Sequence, residues 1–254
     1  MRPVPILMYH SVRDDPPPDT AGLSVSTGAF ADQMALLKDR GFTPVTLSGT
    51  ERDAARPICI TFDDGYADFH SNALPVLRSF GYPATVFVTT GWLDDAGPDA
   101  AGRPLDKMLS WAHVREIAAE GVEVGAHSHS HPQLDQLRDG VLHDELTRSR
   151  LLLEDGLQRS VTTMAYPYGY SSARVRRAVA HAGYTTACVV ANEVAAERSG
   201  YAIPRLTVQR STSLEVFERI AGGLHPFYRE KALTKGYAVV RRSRYLYRRA
   251  MHRD

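Results

Sequence analysis

Three histidines stand within five residues in the segment His127-Ser-His-Ser-His131. Positions i and i+4 face the same way on a helical turn, so His127 and His131 are predicted to bind one metal ion together, as imidazoles commonly do. His129 is expected to point elsewhere. The alternative is a polar loop that is merely rich in histidine. We favour a metal site for two reasons. The histidine cluster directly follows an apolar, strand-like run, and a pair of carboxylates directly follows another such run.

Two adjacent carboxylates, Asp63 and Asp64, end an apolar run in the segment Thr-Phe-Asp-Asp-Gly. Neighbouring residues of an extended strand point to opposite faces, but at a turn from strand to loop both side chains can reach one site. One carboxylate would then bind a metal ion while the other accepts a proton. The alternative is a solvated Asp-Asp-Gly turn, which is common in proteins. The pair alone is therefore weakly specific.

A third segment, Tyr166-Pro167-Tyr168-Gly169, carries a predicted strand into a tight turn. The proline and glycine restrict the backbone there, and the amide of Tyr168 would face a developing oxyanion. A plain structural turn explains the segment equally well. The side chains that would form an aromatic binding surface are those of Trp92, Trp111, Tyr166 and Tyr168. For both tryptophans, core packing is an equally good interpretation.

Apolar periodicity predicts helices that alternate with short, continuous apolar strands. Glycine follows each of four predicted helices, as expected for the left-handed position after a helix C-terminus; these helices are 27–40, 68–80, 110–120 and 172–182. The predicted strands are 4–9, 43–47, 58–62, 84–89, 122–126, 161–166 and 185–190. Such alternation is typical of an α/β protein with a mainly parallel sheet covered by helices. At this chain length a (β/α) barrel, distorted or incomplete, is favoured over an open sheet.

In barrels of this kind the chemistry lies at the carboxyl ends of the strands. His10 ends the first predicted strand, and Asp63 and Asp64 end the third. His127 ends the fifth, and Tyr168 follows the sixth. Reactive groups from four strand ends are therefore expected to meet at one rim.

The chain of 254 residues is long enough for one α/β domain with a sizeable core. Its two cysteines, Cys59 and Cys188, lie in apolar runs and are expected to be buried thiols. The N-terminal apolar stretch is too short for a signal peptide, and no run of about 18 or more apolar residues predicts a transmembrane helix. The expected location is therefore the cytoplasm.

Residues 229–254 form a strongly basic tail, with nine Lys and Arg against two acidic residues, although the net charge of the whole chain is +1. Apolar residues recur at helical spacing from Val239 onward. One interpretation is an interfacial helix on an anionic membrane, which would make the chain membrane-peripheral. The other, slightly favoured, is a helix that is solvated or docked on the domain. Nucleic-acid binding is not expected, because residues 1–228 are mildly acidic.

Three motifs resemble those of the polysaccharide deacetylase family, also known as carbohydrate esterase family 4 or NodB-type domains. TFDDG matches the first motif, GAHSHSHPQL matches the second, and YPYG matches the third in part. The opening PILMYHSV resembles a branch typified by biofilm poly-N-acetylglucosamine deacetylases. The likeness runs from near residue 4 to near residue 208, and we predict that residues 1–228 form the catalytic domain.

The resemblance implies a distorted (β/α) barrel and one divalent metal ion, most often zinc. By matching positions, Asp64, His127 and His131 would bind the metal, and Asp63 would be the catalytic base. The implied reaction removes acetyl groups from N-acetylated sugars. An Asp-His-His set leaves coordination positions for water and substrate, as a catalytic zinc site requires.

The chain departs from the family pattern in the groups around the base. Ala165 stands where many members carry an arginine that orients the base. Arg205 is a candidate to replace that arginine, although an ordinary surface salt bridge is its expected role. The usual aspartate-tryptophan and late leucine-x-histidine motifs are not found. In the branch with the Tyr-His opening the acid histidine lies on the first strand, which makes His10 the candidate general acid and His225 a weaker rival.

Two other functions compete with the deacetylation of sugars. A metal-dependent hydrolase of a non-sugar amide or imide would keep the same site, and the family includes such members. A non-catalytic glycan-binding module would carry a vestigial site, which the missing arginine mildly favours and the intact aspartates and histidines argue against. The missing export signals favour a substrate made inside the cell. The sequence carries no indication of the oligomeric state.

Overall fold

The computed structural model describes residues 4–49, 54–96, 100–196, 198–223 and 245. Within these ranges the strands are β1 (Ile6–Tyr9), β2 (Ser11–Val12), β3 (Ser24–Val25), β4 (Thr43–Val45), β5 (Pro57–Phe62), β6 (Thr85–Val88), β7 (Glu123–Ala126), β8 (Thr163–Ala165), β9 (Thr186–Val190) and β10 (Gly200–Thr207). The helices are α1 (Thr27–Asp39), α2 (Leu74–Phe80), α3 (Trp111–Ala119), α4 (Asp139–Leu157), α5 (Ala173–His181) and α6 (Leu214–Ala221). None of these helices is long and apolar enough to span a membrane.

Seven of the described strands close into a barrel in which neighbouring strands are parallel. β1 pairs on one side with β10, where Leu7 lies opposite Leu206, and on the other side with β5, where Leu7 lies opposite Ile60. The order around the barrel is β1-β10-β9-β8-β7-β6-β5. β4 pairs with the first half of β5, and β6 pairs with its second half. The predicted α/β class and (β/α) barrel are confirmed, with β4 as an irregular additional strand.

Alternation along the strands separates the barrel interior from the layer beneath the helices. On β5, Ile58 and Ile60 pack in the large core under the helices, whereas Cys59 joins a smaller interior cluster with Phe87 and Cys188. Both thiols are buried and no disulfide joins them, as predicted. Burial raises the pKa of the Cys188 thiol to about 12, so this thiol is uncharged at neutral pH.

The four helices predicted from periodicity are present, and a glycine lies just beyond each of them. Gly81 after α2 and Gly183 after α5 have φ angles of 66° and 94°, a left-handed conformation that glycine adopts without a Cβ clash. Ser110 caps α3, because its side chain accepts a hydrogen bond from the amide of His113.

Two elements that position the site, α4 and β10, were not predicted. α4 contains Gly140 and Gly156 and lacks a side-chain hydrogen bond at its N-cap, so its start and stop signals are weak. β10 contains Pro204 and the charged Arg205, and both features argue against a central strand. Arg205 can be buried inside the barrel because its guanidinium has a hydrogen-bond partner there.

The predicted basic tail, residues 229–254, lies outside the described residues except for Tyr245. The Tyr245 ring lies 4.4 Å from the guanidinium of Arg174 on α5. This contact places one tail residue against the barrel domain.

Candidate active site

The predicted reactive residues meet at the carboxyl-terminal rim of the barrel. His10 follows β1, the two aspartates follow β5, and His127 follows β7. Because the strands are parallel, these ends share one rim. Nε2 of His127 lies 3.3 Å from Asp64 and 4.0 Å from Asp63, and the charges of all three residues influence the pKa of His10.

Asp63 and Asp64 reach the same site because the backbone turns sharply between them. Asp64 adopts a left-handed conformation with φ of 72°, and Gly65 continues the turn with φ of 88°. The strand alternation ends at Asp63, so the next side chain is not directed to the opposite face. Both carboxylates are buried, with 3% and 5% of their residue surfaces exposed.

Asp64, His127 and His131 form a compact set of potential metal ligands. The Nε2 atoms of His127 and His131 lie 3.3 and 3.2 Å from Oδ1 of Asp64. One ligand atom from each residue lies within 4.8 Å of the other two. Oδ1 of Asp64 is buried without a hydrogen-bond partner among the described residues. An orphaned carboxylate oxygen between two imidazole nitrogens fits a divalent cation.

A hydrogen bond to the backbone holds the His127 ring in an orientation that suits a metal ligand. Its Nδ1 lies 2.9 Å from the carbonyl oxygen of Ala165, which can only accept a hydrogen bond. Nδ1 therefore carries a proton, and Nε2 is the ring nitrogen that faces Asp64 and is left for a metal ion. Ala165 lacks the arginine side chain that many family members carry at this position, and it contributes its backbone carbonyl to the site instead.

The two histidines converge through a loop and not through a helical turn, so the i, i+4 argument predicted their convergence from the wrong geometry. Ser128 and His131 have left-handed φ angles of 64° and 57°. The amide of His131 donates to Oγ of Ser128 at 3.0 Å. His129 points elsewhere, as predicted, and its Nδ1 lies 2.9 Å from the hydroxyl of Thr90.

Arg205 is not in a surface salt bridge, so that expectation is wrong. Its side chain is fully buried in the barrel. The guanidinium donates to both carboxylate oxygens of Asp63, at 2.5 and 2.6 Å, and also to the hydroxyl of Thr61 at 3.2 Å. A buried arginine without such partners would be strongly unfavourable. Arg205 therefore holds the carboxylate of Asp63 in one orientation, which is the role sought for an arginine at position 165.

Electrostatics keep both carboxylates ionised. Burial raises the pKa of Asp63, but the charges of Arg205 and His127 outweigh burial and hold that pKa below its ordinary value. Burial likewise opposes ionisation of Asp64, but contacts with His127 and His131 hold its pKa well below the ordinary value. Asp63 can therefore accept a proton at neutral pH.

His10 lies in the same cluster with a lowered pKa. Burial lowers its pKa, and the charges of Asp64 and Asp63 offset this only in part. Its Nδ1 is buried and has no hydrogen-bond partner among the described residues. The rival acid, His225, lies outside the described residues.

The turn after β8 places its aromatic residues differently from the prediction. Tyr166 is buried in the core, and its hydroxyl donates to the carbonyl of Tyr201 at 2.9 Å, so it is not a platform for substrate. Pro167 is also buried and begins the turn. Tyr168 has a left-handed φ of 60°, is 53% exposed, and has its ring 4.7 Å from that of His131. Only Tyr168 of the three lies open beside the ligand cluster.

One of the two tryptophans, Trp92, lies beside the ligand cluster, and the other, Trp111, packs in the core. Trp92 is buried, but its ring lies 4.9 Å from that of His131, so it forms a wall of the ligand cluster. Trp111 packs against α4 at Gly156, where a Cβ would lie 2.4 Å from the indole ring. Core packing is therefore the correct interpretation of Trp111.

Residues 50–187 match the sequence profile of the family described as polysaccharide deacetylase. This match covers more than half of the chain and includes the aspartate pair, the histidine loop and the turn after β8. The chain belongs to the polysaccharide deacetylase family. Membership of this deacetylase family supports glycan deacetylation as its class of reaction.

Individual deacetylases and related proteins agree with this assignment. The chain is 26% identical over 224 residues to the YxkH protein of Bacillus subtilis, covering 84% of this chain and 74% of that protein. It is 25% identical over 215 residues to a poly-beta-1,6-N-acetyl-D-glucosamine N-deacetylase of Staphylococcus aureus, covering 78% of this chain and 72% of that enzyme. The structure of the Streptococcus pyogenes deacetylase PplD in complex with acetate superposes with a TM-score of 0.76 at 25% identity, covering 89% of this chain and 99% of PplD.

Proposed function

We propose that this chain is a metal-dependent hydrolase that removes N-acetyl groups from amino sugars of a glycan or glycan precursor. The observation that carries the proposal is the Asp-His-His ligand set beside a carboxylate that Arg205 holds by both oxygens. The similarity to the Staphylococcus aureus N-deacetylase supports a β-linked N-acetylglucosamine polymer as the substrate class.

Asp64, His127 and His131 would hold the metal ion. Two imidazoles and one carboxylate are a donor set typical of catalytic zinc, with positions left for water and substrate. A bound divalent ion would polarise the acetyl carbonyl and favour deprotonation of the attacking water.

Asp63 would accept the proton of the attacking water. The carboxylate is ionised, because Arg205 holds its pKa below the ordinary value. Arg205 also fixes the plane of the carboxylate, whose Oδ2 lies 4.0 Å from Nε2 of His127 at the ligand cluster. The backbone amide of Tyr168 would stabilise the oxyanion of the tetrahedral intermediate.

His10 would donate a proton to the sugar nitrogen as the C–N bond breaks. An amine is a poor leaving group unless it is protonated, so the reaction needs an acid as well as a base. The neighbouring charges of Asp64 and Asp63 favour the protonated imidazole, although burial opposes it. The products are acetate and an amino sugar.

The buried Arg205–Asp63 pair weakens the alternative of a glycan-binding module with a vestigial site. That alternative drew its support from the missing arginine of the third motif, and Arg205 fills the gap from another strand. A hydrolase of a non-sugar amide or imide would use the same polar groups, so a comparison of substrates must decide.

Acetate release tests the proposal directly. The purified chain is incubated with oligomers of β-1,6-linked N-acetylglucosamine, with chito-oligosaccharides and with simple non-sugar amides, with and without a chelator. We expect release from the sugars only, loss with the chelator, and recovery with zinc. Release from non-sugar amides alone would contradict the sugar assignment. Absence of release from every substrate, combined with glycan binding, would favour the non-catalytic module.

A further inference from the structure

The loop that carries the two histidine ligands has an unfavourable backbone conformation. Ser128 and His131 both have left-handed φ angles, although each bears a Cβ. Such conformations persist only where the surroundings hold them. Contacts to this loop therefore determine whether His127 and His131 face the same point.

On one side, the segment after β6 binds the loop through its backbone. The amide of Gly91 donates to the carbonyl of His129 at 2.8 Å, and the amide of Thr90 donates to that of Ser128 at 3.3 Å. A Cβ on Gly91 would lie 2.6 Å from the carbonyl oxygen of His129, so only glycine permits this approach.

On the other side, the carboxylate of Glu145 on α4 accepts three hydrogen bonds from the loop. The amides of His129 and Ser130 both donate to Oε2 at 2.9 Å. The hydroxyl of Ser130 donates to Oε1 at 2.5 Å. Glu145 is buried, with 7% of its surface exposed, on the inner face of α4 beside Leu142 and Leu146. A buried carboxylate is stable only where donors of this kind surround it.

We infer that Glu145 is a positioning residue for the metal site: its three hydrogen bonds hold the peptides between His127 and His131 so that both imidazoles converge on Asp64. The inference rests on the proposed function, since it concerns the same metal site. Groups that orient metal ligands from behind typically change metal affinity by about 10–100-fold when they are removed.

Hydrogen bonding, and not the negative charge, is the proposed means of action. Glu145→Gln tests this distinction, because the glutamine oxygen can accept from both amides while its NH2 group donates to the Ser130 hydroxyl. Glu145→Ala removes all three bonds. Zinc affinity, measured by chelator competition on the metal-free protein, should fall by about 10–100-fold for alanine and should stay close to wild type for glutamine.

Glu154→Ala is the matched control on the same helix. Glu154 pairs with Arg150 and accepts from the amide of Val161, away from the histidine loop. This variant should keep wild-type zinc affinity, even if its melting temperature falls as far as that of Glu145→Ala.

Unchanged zinc affinity in Glu145→Ala would overturn the inference. An equal loss of zinc affinity in the alanine and glutamine variants would also overturn it, because that result would indicate an effect of charge. If Glu145→Ala fails to fold, Ser130→Ala removes one of the three bonds and should still weaken zinc binding; unchanged affinity there would also overturn it. Absence of zinc binding by the wild type would instead overturn the proposed function, and this inference with it.

Discussion

Arg205 holds both carboxylate oxygens of Asp63, at 2.5 and 2.6 Å, across the interior of the barrel. The arginine lies on β10 and the aspartate follows β5, with β1 between these two strands. A bidentate pair fixes the orientation of a carboxylate as well as its charge. The base proposed for deacetylation is therefore held rigid by a residue that is distant in sequence.

Replacing Arg205 should impair the base in two separable ways. Arg205→Lys keeps the positive charge but loses the planar fork, so turnover should fall by about 10²-fold with little change in the pH profile. Arg205→Met also removes the charge that holds the pKa of Asp63 down, so the acidic limb of the pH–rate profile should move to higher pH. Steady-state rates across the acidic range measure both effects. Identical acidic limbs in both variants would contradict the proposed coupling.

Asp63→Asn should reduce turnover by about 10²–10⁴-fold while metal content stays near that of the wild type, since Asp63 acts as a base and not as a ligand. Asp64→Asn should lose the metal as well as the activity. Acetate release and metal analysis of the same preparations distinguish the two roles. Loss of metal in Asp63→Asn alone would mean that the assignments are exchanged.

His131→Ala should lose the divalent ion, whereas His129→Ala should keep it. The His131 imidazole lies 3.2 Å from Asp64, while the His129 ring is turned to the hydroxyl of Thr90. Elemental analysis after dialysis provides the measurement. The reverse result, with metal retained only in His131→Ala, would show that the ligand set is wrong.

His10→Ala should lower turnover by about 10²–10⁴-fold and remove the alkaline limb of the pH–rate profile. The acid form of His10 is lost as pH rises through its pKa, and burial lowers that pKa, so this limb should lie at lower pH than for an exposed histidine. Thermal unfolding serves as the control for a purely structural role. Wild-type turnover with both limbs intact would exclude His10 as the acid and direct attention to His225.

Truncation after Phe227 should leave activity on soluble substrates intact and weaken binding to anionic vesicles, because it removes the strongly basic tail. Tyr245→Ala is a milder variant that removes only the contact of that ring with Arg174 on α5. Vesicle co-sedimentation and thermal unfolding would be measured for both. Unchanged sedimentation of the truncated chain would remove the membrane interpretation, and a lower melting temperature in both variants would favour a docked tail.

Features that depend on near neighbours in the chain were predictable from the sequence alone. Apolar periodicity and terminal glycines located helices such as α2 and α5, and strand ends located the aspartate pair and the histidine loop. These signals are local, because a helix or strand is specified mainly by residues within a few positions of one another. The alternation of helices and strands was therefore enough to predict the parallel barrel.

The partners of the site residues were decided only by the tertiary structure. Arg205 and Asp63 are 142 residues apart in sequence. An arginine next to a proline is expected to be exposed, and only the closed barrel shows that Arg205 is buried. Glu145 was missed for the same reason, since it lies on a helix with weak local signals and reaches the histidine loop only after packing. Burial makes these contacts strong, because charged groups removed from water must find their hydrogen bonds inside the protein. Burial is a property of the closed barrel. The sequence therefore identified the residues proposed as metal ligands and base, whereas only the tertiary structure showed which groups hold them in place.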